Sequence, residues 1–330
     1  MNESVDPRNV LNELSNRQWL IETKSFWRSE CEEELAGWLE PELIERFGRW
    51  LEEEVGEQRA CEMLGQLKSS VLESIAPPRD ELKASHPATF SERDIARLIR
   101  FFTRSGERVL DPFLGTGSTL LACAAEQRVG VGVELIYRWA EVAAKRLAGE
   151  GIGGRAVEPN EALAASDEGD QVILFGDARE VLAELPDESF DFVVTSPPYW
   201  RILRKNGEKT AAERTSRGLP THYSEDADDL GNIESYEEFL GELGQVFQQC
   251  ARLLRERRYM CVIVSDFRHG PQFHLYHADI ARLIEDQNPD LQLKGLTVLV
   301  QDSKNLYPLG IPHAFVANIH HQFVVILQRM

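Results

Sequence analysis

Arg108-Val109-Leu110-Asp111-Pro112-Phe113-Leu114-Gly115-Thr116-Gly117-Ser118-Thr119 reads as a short strand, a tight glycine-bearing turn and the first residues of a helix. That arrangement is a binding corner for a nucleotide-like ligand. The glycines let a ligand approach the backbone, and the helix N-terminus favours a carboxylate or phosphate. The turn lacks the full GxGxxG spacing of a dinucleotide fold and the lysine of a P-loop.

Working outward, strands and helices alternate from about residue 84, the pattern of a parallel sheet covered on both faces. Val129–Glu134 predicts the next strand, followed by a helix from Tyr137. The Gly- and acid-rich stretch 150–170 reads as a mobile surface loop. Val172–Phe175 forms a third strand ending at Gly176-Asp177, and Phe190–Val194 a fourth that runs into Thr195-Ser196-Pro197-Pro198-Tyr199-Trp200. A helix over 235–256, a strand over 259–264, a helix over 277–287 and late strands over 295–300 and 319–328 complete an α/β fold. His269, His274 and His277 have no metal-ligand spacing and read as ordinary loop residues.

Consecutive strands thus end in Asp111, Glu134, Asp177 and Ser196, four polar residues at one sheet edge. Ligands of open α/β sheets sit just beyond the carboxyl ends of strands. Pro197 and Pro198 restrict the backbone there and aim its carbonyls. The Ser196 hydroxyl and the Pro197 carbonyl are two neighbouring acceptors, and Tyr199 offers an aromatic face. Such a set suits a planar group bearing an NH2.

Residues 1–76 read as helical throughout, with amphipathic helices over 42–55 and 57–75 and a boundary at Pro77-Pro78, which suggests a helical N-terminal domain over 1–80. The chain carries a net charge of −19, which disfavours non-specific nucleic-acid binding by the molecule as a whole. The charge is unevenly placed. Residues 1–80 hold 18 acidic and 9 basic side chains, whereas 201–217 hold six basic against two acidic ones. Five scattered cysteines without a CxxC pair suit a reducing compartment. With no apolar run of membrane-spanning length and no basic-then-apolar leader, the expected location is the cytoplasm.

The motifs resemble those of a known family. Asp111–Thr119 is similar to the S-adenosylmethionine loop of the DNA amino-methyltransferases, and Thr195–Trp200 to their catalytic motif. His86-Pro87-Ala88-Thr89-Phe90, Val131–Glu134 and Gly176-Asp177-Ala178 resemble further cofactor motifs of that family. The resemblance covers roughly 84–330 and implies a Rossmann-like methyltransferase sheet with helices on both faces. It implies S-adenosylmethionine as cofactor, its methionine end held by Asp111 and the Gly115–Gly117 backbone, with Thr89 and Phe90 nearby and Phe113 and Ser118 in the same loop. Glu134 would take the ribose hydroxyls and Asp177 the adenine amine. Ser196 and Pro197 would accept from the target amine, with Pro198 stiffening the turn and Tyr199 stacking on a flipped-out base. A serine before the proline pair is associated in this family mainly with cytosine, and an aspartate or asparagine mainly with adenine.

DNA is the expected partner, approached by Trp200, Arg201, Arg204, Lys205 and Arg214 in or beside a basic insertion over 201–234. The family's motif order here calls for a recognition domain after the last strand, yet the sequence stops at Met330. Recognition is therefore expected from the insertion, from the acidic N-terminal region or from a partner protein. An RNA base, a non-catalytic cofactor-binding subunit and an NAD-dependent oxidoreductase are the competing readings. The incomplete dinucleotide fingerprint disfavours the last of these.

Overall fold

The computed structural model describes Val5, residues 9–15, 18–19, 26–28, 91–201, 228–301 and 316–330. It divides into two units, residues 1–25, 79–297 and 323–330 forming the first.

In the first unit, β2 (Arg108–Asp111), β3 (Val129–Glu134), β4 (Gly154–Ala156), β5 (Gln171–Phe175), β6 (Phe190–Thr195), β7 (Leu254–Val264), β10 (Leu291–Val300, to residue 297) and β11 (His321–Arg329, from residue 323) share one sheet. Their order is β10-β11-β7-β6-β2-β3-β5-β4. From β4 to β7 every pair is parallel, and β11 is antiparallel to β7. Chain direction across the sheet reverses at β2. From there β3 and β5 build outward on one side, β6 and β7 on the other. The crevice at such a reversal is where doubly wound sheets bind ligands.

The central strands read as continuous apolar runs because both faces are covered. Alternate residues on them serve opposite layers. Val172 and Leu174 pack on one face of β5 and Ile173 on the other. On the first face lie α4 (Ala162–Asp167), α5 (Ala178–Val181), α6 (Tyr236–Leu253) and α7 (Tyr276–Gln287). On the second lie α1 (Glu92–Phe102), α2 (Ser118–Ala125) and α3 (Tyr137–Gly149). In α1, Phe102 stacks on Phe192 of β6 with centroids 5.2 Å apart. Helix α6 is capped by Ser235, whose hydroxyl accepts from the Glu238 amide at 3.2 Å. It buries Phe239, Leu243, Val246, Phe247 and Cys250, spaced at three and four residues.

Three expectations change. The stretch 150–170 is not a plain loop: it holds β4 and α4, with Ala162 and Ala165 buried in the core. Short elements framed by Gly and Glu give little periodicity to read. The helical reading of 1–76 fails at Phe26–Arg28, which is the strand β1. In the second unit β1 pairs in parallel with Val298–Val300. Asn12 and Trp19 pack on α1: the Asn12 carboxamide donates to the Phe101 carbonyl, and Trp19 lies 5.0 Å from the Phe101 ring. The helices expected over 42–55 and 57–75 lie outside the described residues. Finally, His269 and His274 lie not in loops but on the hairpin β8 (Phe267–His269) and β9 (Gln272–His274), and His277 lies in the first turn of α7.

Candidate active site

The carboxyl ends of β2, β3, β5 and β6 bring Asp111, Glu134, Asp177 and Ser196 to one edge, as the strand-end pattern predicts. Asp111, Glu134 and Asp177 already accept hydrogen bonds from protein groups there.

Asp111 is fully buried. One carboxylate oxygen accepts from the Thr195 hydroxyl at 2.7 Å and from the Phe113 amide at 3.1 Å. The other accepts from the Thr119 hydroxyl at 2.5 Å. Burial raises its pKa, opposed by these three donors. Asp111 thus bonds inward, to protein groups on β6, the loop and α2.

Glu134 is also buried, and its two oxygens accept from the Gly115 amide at 2.7 Å and the Ile136 amide at 2.9 Å. Burial pushes it up to about 7, with the charges of Asp111 and Asp229 adding to the shift and the two amides opposing it. A carboxylate offers about four lone-pair positions. Two amides leave room for further donors, so Glu134 fits a diol.

The loop between them is fixed by geometry. Gly115 and Gly117 have φ of 57° and 83°, the left-handed region that a side chain resists. Gly117 caps α2, and a Cβ there would meet the Ala143 Cβ at 2.8 Å. From α3, the buried Arg146 guanidinium donates to the Thr116 carbonyl at 2.6 Å and pairs with Glu92. Ser118, expected at the cofactor, is buried and hydrogen-bonds Glu92 at 3.3 Å. Phe113 is half-buried against the core.

Asp177 caps α5, accepting from the Arg179 amide at 2.8 Å, and its carboxylate also holds the Arg179 guanidinium at 2.9 Å. Arg179 reaches Glu242 of α6 as well. An adenine amine would have to share Asp177 with this arginine. Beside it, exposed Phe175 meets exposed Tyr137 edge-to-face at 5.6 Å.

At the end of β6, Ser196 is half-buried and Pro197 buried. Among the described residues no hydrogen bond engages the Ser196 hydroxyl or the Pro197 carbonyl. The Pro198 carbonyl is taken by the Tyr276 hydroxyl at 2.8 Å. The Tyr199 hydroxyl accepts from the Ser265 amide at 2.8 Å, and its ring packs near Phe267 and Tyr276. Trp200 donates to the Ile233 carbonyl at 3.0 Å and lies among Tyr236, His269 and His274. Arg201 has φ 47° and sits 4.0 Å from Glu234. Thr89, Phe90, Arg204, Lys205 and Arg214 fall outside the described residues.

Sequence reasoning missed Arg146, Tyr276 and Ser265, and gave Thr195 no role of its own. Arg146 carried a signal. It occupies the buried stripe Trp139, Ala140, Val142, Ala143, Arg146 and Leu147 of α3, where a charge needs a partner. The others hydrogen-bond residues far away in sequence.

A family described as DNA methylase matches residues 9–145, less than half of the chain; the match takes in the Gly115–Gly117 loop and ends before Thr195. The Type II methyltransferase M.Cfr9I of Citrobacter freundii is 41% identical over 66 residues, 20% of this chain and 22% of that protein. The Type II methyltransferase M.MjaI of Methanocaldococcus jannaschii is 44% identical over 59 residues, 16% of this chain and 20% of that protein. The chain resembles the amino-methyltransferases of DNA. The match covers about a fifth of the length of these curated relatives. Among solved structures, TrmN from Thermus thermophilus aligns with a TM-score of 0.42 and 16% identity, over 72% of this chain and 48% of that one. For this amino-methyltransferase-like chain, the strand order carries the fold rather than that likeness.

Proposed function

We propose that the chain transfers a methyl group from S-adenosylmethionine to the exocyclic amine of a base in DNA, with cytosine the preferred base. One observation carries the reading: at the reversal of the sheet, two acceptors, Ser196 and Pro197, that no hydrogen bond engages among the described residues follow β6, the strand beside the one that leads into the glycine loop held by Glu134. The cofactor supplies an electrophilic methyl group on a sulfonium. The left-handed Gly115 and Gly117 clear the backbone for it, and the spare lone pairs of Glu134 suit its ribose hydroxyls.

An exocyclic base amine is a poor nucleophile because its lone pair is delocalised into the ring. Two acceptors on its hydrogens favour a pyramidal nitrogen with a localised pair, so the chain contributes positioning and electrostatics. The Tyr199 ring is held by its hydroxyl and by Phe267 and Tyr276, which makes it a rigid wall for a flipped base. The preference for cytosine rests on Ser196 standing before the proline pair, where aspartate or asparagine is associated mainly with adenine. DNA would be gripped by the basic run that includes Arg204, Lys205 and Arg214. Replacing those three with alanine flattens the slope of log affinity against log salt by roughly two to three. A partner protein bound through the acidic N-terminal region remains the alternative source of recognition.

The deciding experiment incubates the full chain with DNA and S-adenosylmethionine and identifies the modified nucleoside by mass spectrometry. The expected product is 4-methylcytosine, absent with Ser196→Ala. Finding 6-methyladenine alone overturns the choice of base, and modification of RNA alone overturns the substrate.

A further inference from the structure

The buried carboxylate of Asp111 joins two parts of the site that the backbone does not join. Strands β2 and β6 pair at Val109↔Phe192 and Leu110↔Val193, and the pairing goes no further. One step beyond, where the crevice opens, the Thr195 hydroxyl donates to Asp111 at 2.7 Å. The same carboxylate holds the loop through the Phe113 amide at 3.1 Å and α2 through the Thr119 hydroxyl at 2.5 Å. All three side chains of the cluster are at most marginally exposed: Asp111, Thr119 and Thr195 each have 0%.

Folding does not require this polarity. The flanking Val109, Leu110, Val193 and Val194 are equally buried and apolar. A buried polar or ionic set is often matched in stability by apolar residues of the same volume. What the polar set adds is direction, since each donor must point at a carboxylate oxygen.

We propose that Thr195 is a positioning residue: through Asp111 its hydroxyl sets where the Ser196 and Pro197 acceptors stand relative to the Gly115–Gly117 loop. This rests on the functional reading above. Methyl transfer in line depends on the separation of donor and acceptor, and a misplacement of about 1 Å costs on the order of a hundredfold in rate. Thr195 touches neither partner of the reaction in this account; it acts through Ser196, its neighbour in the chain.

The test compares Thr195→Val, which keeps the volume and removes the hydroxyl, with Thr195→Ser, which keeps the hydroxyl. Three quantities are read: kcat for methyl transfer to DNA, S-adenosylmethionine affinity by calorimetry, and amide hydrogen exchange in the free protein. For Thr195→Val the expected result is a kcat lower by about tenfold or more. Cofactor affinity stays within about twofold, and exchange quickens at the amides of Ser196, Tyr199 and Trp200. Thr195→Ser recovers kcat to within about threefold.

Wild-type kcat in Thr195→Val overturns the inference. So do equal losses of kcat and cofactor affinity, or a serine variant as slow as the valine one. If the wild-type protein methylates no nucleic acid, the functional reading falls, and exchange alone decides the bridge. Faster exchange at the amides of Ser196, Tyr199 and Trp200 in Thr195→Val then supports it, and unchanged exchange removes it.

Discussion

The two sides of the crevice are built from different materials. On the glycine-loop side, Asp111, Glu134 and Arg146 are buried ionisable groups, and each bonds to backbone or hydroxyl groups of the loop or its neighbours. On the acceptor side, the turn after β6 stands in a packed set of rings: Tyr199, Trp200, Tyr236, Phe267, His274 and Tyr276. Among the described residues, hydrogen bonds to Ser265, Ile233 and Pro198 tie it to neighbouring elements. Hydrogen bonds to buried carboxylates fix direction, and removing one partner leaves the others desolvated and unpaired. Ring packing distributes its energy over many contacts and tolerates the loss of one polar atom. The loop side should therefore be brittle and the acceptor side forgiving.

The sharpest way to break that contrast is Asp111→Ala. It orphans the Thr119 and Thr195 hydroxyls and the Phe113 amide. At about 1–3 kcal/mol for each unsatisfied buried group, stability should fall by roughly 3 kcal/mol or more. Chemical denaturation measures it; a loss near 1 kcal/mol would mean that the carboxylate does not hold the loop side together.

Next in size is Gly117→Ala. Left-handed backbone costs a side chain about 1–2 kcal/mol, and the Cβ would also press on Ala143 at 2.8 Å. A destabilisation of about 2 kcal/mol with weakened cofactor binding is expected from thermal melting and calorimetry. A neutral alanine here would mean that the loop can rearrange.

A third effect is set by pH. Glu134 sits at about 7 in the free protein because burial disfavours its charge. Hydroxyl donors from a cofactor favour the ionised form, so binding pulls its pKa down. Affinity should then weaken as pH falls through about 7 and level off above it, a change of about tenfold between pH 8 and 6. The sign for folding is opposite. Between the ordinary value of 4.5 and about 7 the folded state holds this proton more tightly than the unfolded chain, so Glu134 makes folding less favourable as pH rises across that window. Calorimetry over this range checks the binding slope, and Glu134→Gln should flatten it.

The smallest effect belongs to the acceptor side. Tyr199→Phe loses the hydrogen bond from the Ser265 amide and keeps the ring, so about 1 kcal/mol of stability is at stake in that bond. Methyl transfer should survive it. Tyr199→Ala, by contrast, should cut transfer while leaving cofactor affinity unchanged, because it removes the wall of the base pocket and not the loop. A Phe variant as damaging as Asp111→Ala would erase the distinction between the two sides.

Much of this architecture was legible in the residues alone. Long apolar strands, the glycine turn at 115–117 and the proline pair at 197–198 are local signals, and they placed Asp111, Glu134, Asp177 and Ser196 at one edge. Pattern reading works there because a strand buried on both faces must be apolar along its length, and a left-handed turn must carry glycine. The short β4 and α4, the strand at Phe26–Arg28 and the hairpin at 267–274 gave no such signal. They span three to six residues, too few for a period.

By itself the sequence determined that Asp111, Glu134, Asp177 and Ser196 come to one sheet edge and in what order the strands deliver them. Only the tertiary structure decided what each one is bonded to. Asp111 turns inward to Thr195, 84 positions away, and Asp177 is held by Arg179, while the Ser196 hydroxyl stays unengaged among the described residues. Order along the chain follows from local backbone preferences, which each segment carries alone. A buried carboxylate takes whichever donors the folded neighbours present, and those donors come from β6, the loop and α2 only once the sheet has closed over them.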